Sequence, residues 1–360
     1  MSGVLRHLAD DVWARRTPGG RLASALLAPA SWSYGGVVAA RNRLYDVGGF
    51  TAEQVPARVV SVGNLTVGGS GKTPFTLWLA SRLAARGRRV AIVARGYRKR
   101  RPGVIVVGRD GSPLVSARDG GDEAVLLARR FVGPVVVGED RVAAARTACE
   151  ACGADLIVLD DGFQHRRLRR DLDIVLLASD PAGERLLPAG PLREPVGSLR
   201  RAGAVVAMDQ AASVAALGIG ERPRFRARTT PTSLVEVRGG RWSERALGAV
   251  AGRDVIAVAG IARPERFVES LEALGARVQH AEYLEDHHVY DAGDVARVAA
   301  WAARALVVTT EKDLVKLGDL TDDPPVMALR VAVDAEPAEE LERLAVGEDV
   351  VCGDPDPERR

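Results

Sequence analysis

Gly68-Gly69-Ser70-Gly71-Lys72-Thr73 sets a lysine and a hydroxyl directly after a glycine run, between the apolar stretch Arg58-Val59-Val60-Ser61-Val62 and a segment of helical character. Glycines let backbone N–H groups turn inward around phosphate oxygens, a lysine here offers a charge to the β and γ phosphates, and the hydroxyl reaches Mg²⁺. The general pattern begins with a glycine where Thr66 stands, so the loop's opening turn departs from it. Such a loop needs a carboxylate at the end of a neighbouring strand to hold the metal. Leu156-Ile157-Val158-Leu159-Asp160-Asp161 supplies two. Adjacent residues of a strand point to opposite faces, so one is placed for the metal and the other for a second task. Together these elements predict a nucleoside triphosphate site.

The fate of the γ phosphate depends on what else the chain carries. Thr310-Glu311-Lys312-Asp313 has the wrong spacing for a guanine-binding motif, which leaves guanine specificity unsupported. Transfer to an alcohol calls for a general base, and the titratable candidates are Asp122 and Glu123 at a helix start and the run Asp286-His287-His288. From spacing alone both remain open, because a helix-start Asp serves equally as a cap and histidines are ordinary loop residues. Two basic runs, one beginning at Arg95 and one at His165, follow strand ends, where α/β sheets place ligands.

The elements that must position these groups alternate. Short Val/Ile/Leu runs at 58–62, 89–94, 104–107, 135–137, 155–159, 173–178 and 203–208 are separated by amphipathic helical stretches, the signature of crossover units. The pattern loosens between Gln210 and Arg253 and resumes with strands at 254–259, 305–309 and 326–333. The expected fold is α/β: a P-loop NTPase-like, mostly parallel sheet flanked by helices, a second smaller α/β domain, and an N-terminal helical arm. The expected boundaries are 1–50 for the arm, 51–225 for the core and 226–350 for the smaller domain.

Composition sets the outer limits. The 360 residues are 47% hydrophobic and 27% charged, which excludes a disordered chain and a polytopic membrane protein. Fifty Lys and Arg against 47 Asp and Glu leave no bulk basic character for nucleic-acid binding, and no obligate protein partner is evident. Three cysteines do not make a disulfide framework. Cys149-x-x-Cys152 invites a redox or zinc reading, but no second Cys or His pair completes four ligands. Residues 22–40 carry no charge, yet Pro29, Gly35, Gly36 and three serines interrupt them, with arginines on both flanks. That composition favours an arm lying in the interface of an anionic membrane over one that crosses it, with an arm simply packed on the protein as the other reading.

The strings taken together resemble the tetraacyldisaccharide 4'-kinases of lipid A biosynthesis. The matching segments are Val62 through Pro74, Arg95-Gly96-Tyr97, Gly121-Asp122-Glu123, Asp160-Asp161-Gly162-Phe163-Gln164-His165, Leu187 through Pro195, Asp286-His287-His288 and Thr310-Glu311-Lys312-Asp313. Thr66 in place of the first glycine is itself what this family looks like. The resemblance implies Mg²⁺-dependent transfer of the ATP γ phosphate to the 4'-hydroxyl of a tetraacylated disaccharide 1-phosphate, giving lipid IVA at the cytoplasmic face of the bacterial inner membrane. It implies that Thr66, Gly68, Gly69, Ser70, Gly71, Lys72 and Thr73 hold the nucleotide and that Thr73, Asp160 and Asp161 belong to the metal shell, with Asp161 also catalytic. Asp122 and His287 would form a proton-accepting dyad across the two domains, brought together by domain closure. Glu123, Gln164, Arg193, Glu194 and Arg95 would line the site, and Glu311 and Lys312 would lie near the nucleotide base. Two other readings compete: a P-loop GTPase or ATPase acting as a metal-insertion chaperone, for which Cys149-x-x-Cys152 is the feature, and a membrane-recruited nucleotide-binding scaffold.

Overall fold

A computed structural model of the chain describes residues 9, 11–209 and 222–348. Asp10, Cys352 and the tail beyond Val351 lie outside the described residues, as do residues 210–221 of the stretch where the α/β alternation loosens. The chain divides into two compact units, and the division does not follow the expected order. Among the described residues, one unit joins those up to 95, those of 140–229 and those from 333 on, and the other joins 96–139 with 230–332. The helix that begins at Asp122 packs with the helix after Thr310, and this contact groups its stretch of chain with the later residues.

The phosphate-loop unit is built on parallel strands. β1 (Arg58–Asn64) lies between β6 (Leu156–Asp160) and β7 (Leu172–Leu177); β2 (Val90–Ala94) flanks β6, and β8 (Ala204–Met208) flanks β7. The opening residues of β9 (Arg224–Arg238) add one more parallel strand beyond β8. These strands are buried almost throughout, which explains why the sequence shows continuous Val/Ile/Leu runs instead of alternation. Parallel pairing requires crossover connections, and the helix Lys72–Ala85 provides the one that carries the phosphate loop.

In the second unit β11 (Asp254–Ala259) lies between β12 (Arg277–Tyr283) and β13 (Leu306–Thr310), with β14 (Met327–Glu336) beside β13, all parallel. The later residues of β9 pair antiparallel with β10 (Arg241–Arg245). β3 (Ile105–Arg109) pairs antiparallel with β5 (Val135–Val137) and with the two-residue strand β4 (Ser112–Pro113), so the sheet is mixed where sequence periodicity predicts parallel pairing. Two apolar clusters, one around Val258, Val307 and Leu314 and one around Phe267, Leu271 and Val308, form its core.

Two strands of this unit escape the sequence periodicity. β12, Arg-Val-Gln-His-Ala-Glu-Tyr, is polar and half-exposed, so it carries no apolar run to read. β10 is nearly all exposed and is held by pairing with β9.

The N-terminal arm is a pair of helices, α1 (Pro18–Leu26) and α2 (Ala28–Asp46), bent by 49° at Leu27. Among the described residues no single helix is long and apolar enough to cross a membrane; this pair passes a length and composition test only when taken together. Two of its serines, Ser24 and Ser31, face the protein. Ser24 Oγ donates to Ala189 O at 2.9 Å, and Ser31 Oγ donates to Leu186 O at 2.9 Å and accepts from Ala189 N at 3.0 Å. Leu22, Leu26, Trp32 and Val37 remain exposed on the same helices.

Candidate active site

The phosphate loop runs from the end of β1 into helix α3 (Lys72–Ala85). Gly68 at φ +109° and Gly71 at φ +75° take backbone conformations that a side chain resists, and Gly71 is the residue that caps the helix. The loop is braced from behind. Val67 N donates to Pro191 O at 2.8 Å and Arg193 N donates to Leu65 O at 2.7 Å, so residues 187–194 form its outer wall. Thr66 bridges to Leu192 in this wall, and that pairing supports the loop's opening where the general pattern has a glycine.

Asn64, at the last position of β1 and wholly buried, holds the loop from within. Its side-chain amide donates to Thr66 O and to Ser70 Oγ, each at 2.8 Å, and its Oδ1 accepts from Lys72 Nζ at 3.2 Å. Gln164 Nε2 donates to Asn64 O at 2.9 Å. Sequence reasoning gave Asn64 no role, although a polar residue closing an apolar strand is the available signal.

Asp160 and Asp161 part company as alternation requires. Asp160 is buried and accepts from Thr76 Oγ1 at 2.9 Å. Asp161 adopts φ +52° at the turn after β6, and its carboxylate accepts from Arg193 Nη1 at 2.9 and 3.0 Å and lies 3.6 Å from Lys72 Nζ. Burial works to raise the Asp161 pKa, but Lys72 and Arg193 outweigh it and hold the carboxyl below its ordinary range. Thr73 sits in the first turn of α3. A hydroxyl and a strand-end carboxylate are hard oxygen donors suited to Mg²⁺, which takes its remaining ligands from phosphates and water. Among the described residues no group of three or more His, Cys, Asp or Glu is arranged to hold a metal.

Glu194 is buried against Asn42 Nδ2 and Arg201 Nη1, each at 2.9 Å, and Tyr34 Oη donates to Arg193 O at 2.8 Å. Glu194 therefore fixes the wall of the loop to the arm. Arg95, at the end of β2, is exposed.

The dyad lies wholly in the second unit, which corrects the expectation of half a base in each domain. Asp122 opens helix α5 (Asp122–Arg130), capped by Gly121 at φ +93°, and accepts from its neighbour Glu123 N at 2.9 Å. His287 Nδ1 is 3.0 Å from Asp122 Oδ2 and 3.2 Å from Oδ1. The pair is formed in this structure and requires no closure of one domain on another. His287 is held at φ +61°, with Arg98 Nη1 donating to its carbonyl at 3.0 Å and the Tyr97 ring centred 4.8 Å from its own. Burial works to raise the Asp122 pKa; the hydrogen bond from His287 and the charges of Lys312 and Lys316 overcome it and bring the pKa to about 2. His288 has a different partner, Asp294 at 2.8 Å, in the capping box of helix α8 (Ala292–Ala302).

The segment after Thr310 is tied into the second unit by ion pairs. Glu311 is buried between Arg130 and Arg330, at 2.9 and 2.7 Å, so both carboxylate oxygens are engaged within the fold. Lys312 belongs to the surroundings of His287 and Asp122, 3.2 Å from His287 Nε2.

The chain matches the family described as Tetraacyldisaccharide-1-P 4'-kinase over residues 23–346. It belongs to this family. A tetraacyldisaccharide 4'-kinase of Anaeromyxobacter dehalogenans (strain 2CP-C) is 46% identical, covering 93% of this chain and 92% of the relative, and one of Syntrophus aciditrophicus is 42% identical over 86% and 88%. The crystal structure of the "apo" form of LpxK from Aquifex aeolicus in complex with ATP is similar with a TM-score of 0.74 and 34% identity, covering 90% of this chain and 98% of that one. These similarities do not favour the metal-insertion chaperone. Cys149 is half-buried, and burial raises its thiol pKa, which keeps it protonated.

Proposed function

We propose that this tetraacyldisaccharide-1-P 4'-kinase family member transfers the γ phosphate of ATP to the 4'-hydroxyl of a tetraacylated glucosamine disaccharide 1-phosphate, working at an anionic membrane surface. The observation that carries the reading is Asp122, a carboxylate kept ionised and hydrogen-bonded to an imidazole, in a chain that also carries a phosphate loop. Hydrolysis needs only water positioned by the loop; a buried carboxylate–histidine pair suits an alcohol acceptor.

Each part has a task. Backbone N–H groups at 68–72 and the Lys72 ammonium cradle the β and γ phosphates. Before nucleotide binds, Lys72 lies between Asn64, Ser70 and Asp161, so its charge is in place and the phosphates exchange for those weaker partners. Thr73 and Asp160 would hold Mg²⁺, which neutralises charge that develops on the transferred phosphoryl group. Asp161 and Arg193 form an ion pair beside Lys72, which holds the guanidinium close to the ammonium. Asp122 accepts the proton of the attacking hydroxyl, and His287 orients that carboxylate and stabilises it until then. The supporting features for the membrane are the exposed Leu22, Leu26, Trp32 and Val37 on an arm whose polar face is turned to the protein.

The test is direct. Purified protein incubated with ATP, Mg²⁺ and the disaccharide 1-phosphate in mixed micelles should yield a lipid heavier by one phosphate, with NMR locating that phosphate at the 4' position. Nucleotide consumption with an unaltered lipid refutes the reading.

A further inference from the structure

Three acceptors converge on one ammonium in the second unit. Lys312 Nζ lies 3.1 Å from Asp286 Oδ1, 3.2 Å from Glu123 Oε1 and 3.2 Å from His287 Nε2, and its side chain is only 13% exposed. An ammonium carries three N–H donors and no acceptor, so these contacts use its whole capacity. His287 Nε2 must then accept. The ring proton is left on Nδ1, where it is donated to Asp122.

We propose that Lys312 is the positioning residue of the proton-accepting pair: it locks His287 in the Nδ1–H tautomer and keeps the ring neutral, so that the acceptor's proton goes to the Asp122 carboxylate. The assignment rests on Asp122 being the base argued above. The groups facing the imidazole make the need for a cation plain. Asp122 comes from α5, Asp286 from its own loop with an oxygen 3.9 Å from Nε2, and the Tyr97 ring and Arg98 from the segment after β2. Lys316 approaches Asp122 at 4.0 Å but is drawn to Asp313 at 2.7 Å. With Lys312 removed, the carboxylates of Asp122 and Asp286 face the two ring nitrogens of His287 without the ammonium beside Nε2, which favours the doubly protonated ring. An imidazolium would hold the Asp122 lone pairs and lower their basicity.

Ring ¹⁵N NMR of the full-length wild-type protein with labelled histidine, the signal assigned with His287→Gln, reads this state without any change at Lys312. The expected spectrum at pH 7 has a protonated Nδ1 and an unprotonated, hydrogen-bonded Nε2; an Nε2–H tautomer or an imidazolium overturns the proposal. In Lys312→Met the acid limb of kcat should move to higher pH, so that the ratio of activity at pH 8.5 to that at pH 6.5 rises severalfold. Lys312→Arg keeps the charge and should leave the limb in place. An equal fall in kcat at every pH in Lys312→Met means a structural role only and overturns it too. The two readings fail separately: a wild-type protein that transfers no phosphate removes the kinase, while transfer with the wrong tautomer removes only the role of Lys312.

Discussion

Asp122 carries most of the chemical argument in one side chain, and its replacement by asparagine keeps the shape while removing the charge. Asp122→Asn should lower kcat by about 10² to 10⁴-fold, the usual worth of a general base, while calorimetric ATP affinity stays within about twofold. Lys72→Ala should weaken both. A second residue-scale prediction concerns His165, whose pKa burial depresses to about 4, helped by Arg141 and Arg170. Its folded-state pKa lies below the unfolded 6.5, so between those values the unfolded chain binds more protons. Stability should therefore fall as pH drops from about 6.5 to 4, by roughly 2 kcal/mol after allowing for partial exposure. His165→Gln should flatten the dependence of Tm on pH across that window, whereas an unchanged slope would refute the assignment.

At the scale of elements, glycines set how closely the motif segments pack. A Cβ on Gly63 would lie 2.5 Å from Phe163 Cβ and 2.9 Å from its backbone nitrogen. Backbone cannot yield cheaply, so Gly63→Ala should destabilise the protein by at least about 2 kcal/mol in urea unfolding. The same contact explains why Gly63 and Phe163 stand in separate motifs that look independent in sequence. The phosphate loop, the Asp160-Asp161 pair and most strands of both units were legible because a buried parallel strand writes a continuous apolar run. β12 and β10 were not, since exposed strands have no such run. The helix Ala338–Val346 was also missed; Arg82 and Glu342 tie it to α3, a pairing across 260 residues that no local pattern carries.

For the whole molecule, the lesson concerns residues 96–139. Sequence order places them with the phosphate loop, and the fold places them with residues 230–332, which assembles Asp122, His287 and Lys312 in one compact unit. Periodicity reports local structure, while membership of a unit depends on which helix meets which strand far along the chain. The types of the dyad residues were readable, but their pairing in one unit and the convergence on Lys312 were not. The arm raises a prediction at the same scale. Leu26 and Trp32 are exposed, so a Leu26→Glu, Trp32→Glu double variant should keep its Tm and lose sedimentation with anionic vesicles. Retained sedimentation would show that the arm does not dock on lipid. The central claim, phosphoryl transfer to a lipid alcohol through Asp122, is tested most directly with γ-³²P-ATP and the tetraacyldisaccharide 1-phosphate. One labelled lipid per ATP consumed is expected with the wild-type protein and almost none with Asp122→Asn; release of labelled phosphate with no labelled lipid would contradict transfer to the lipid.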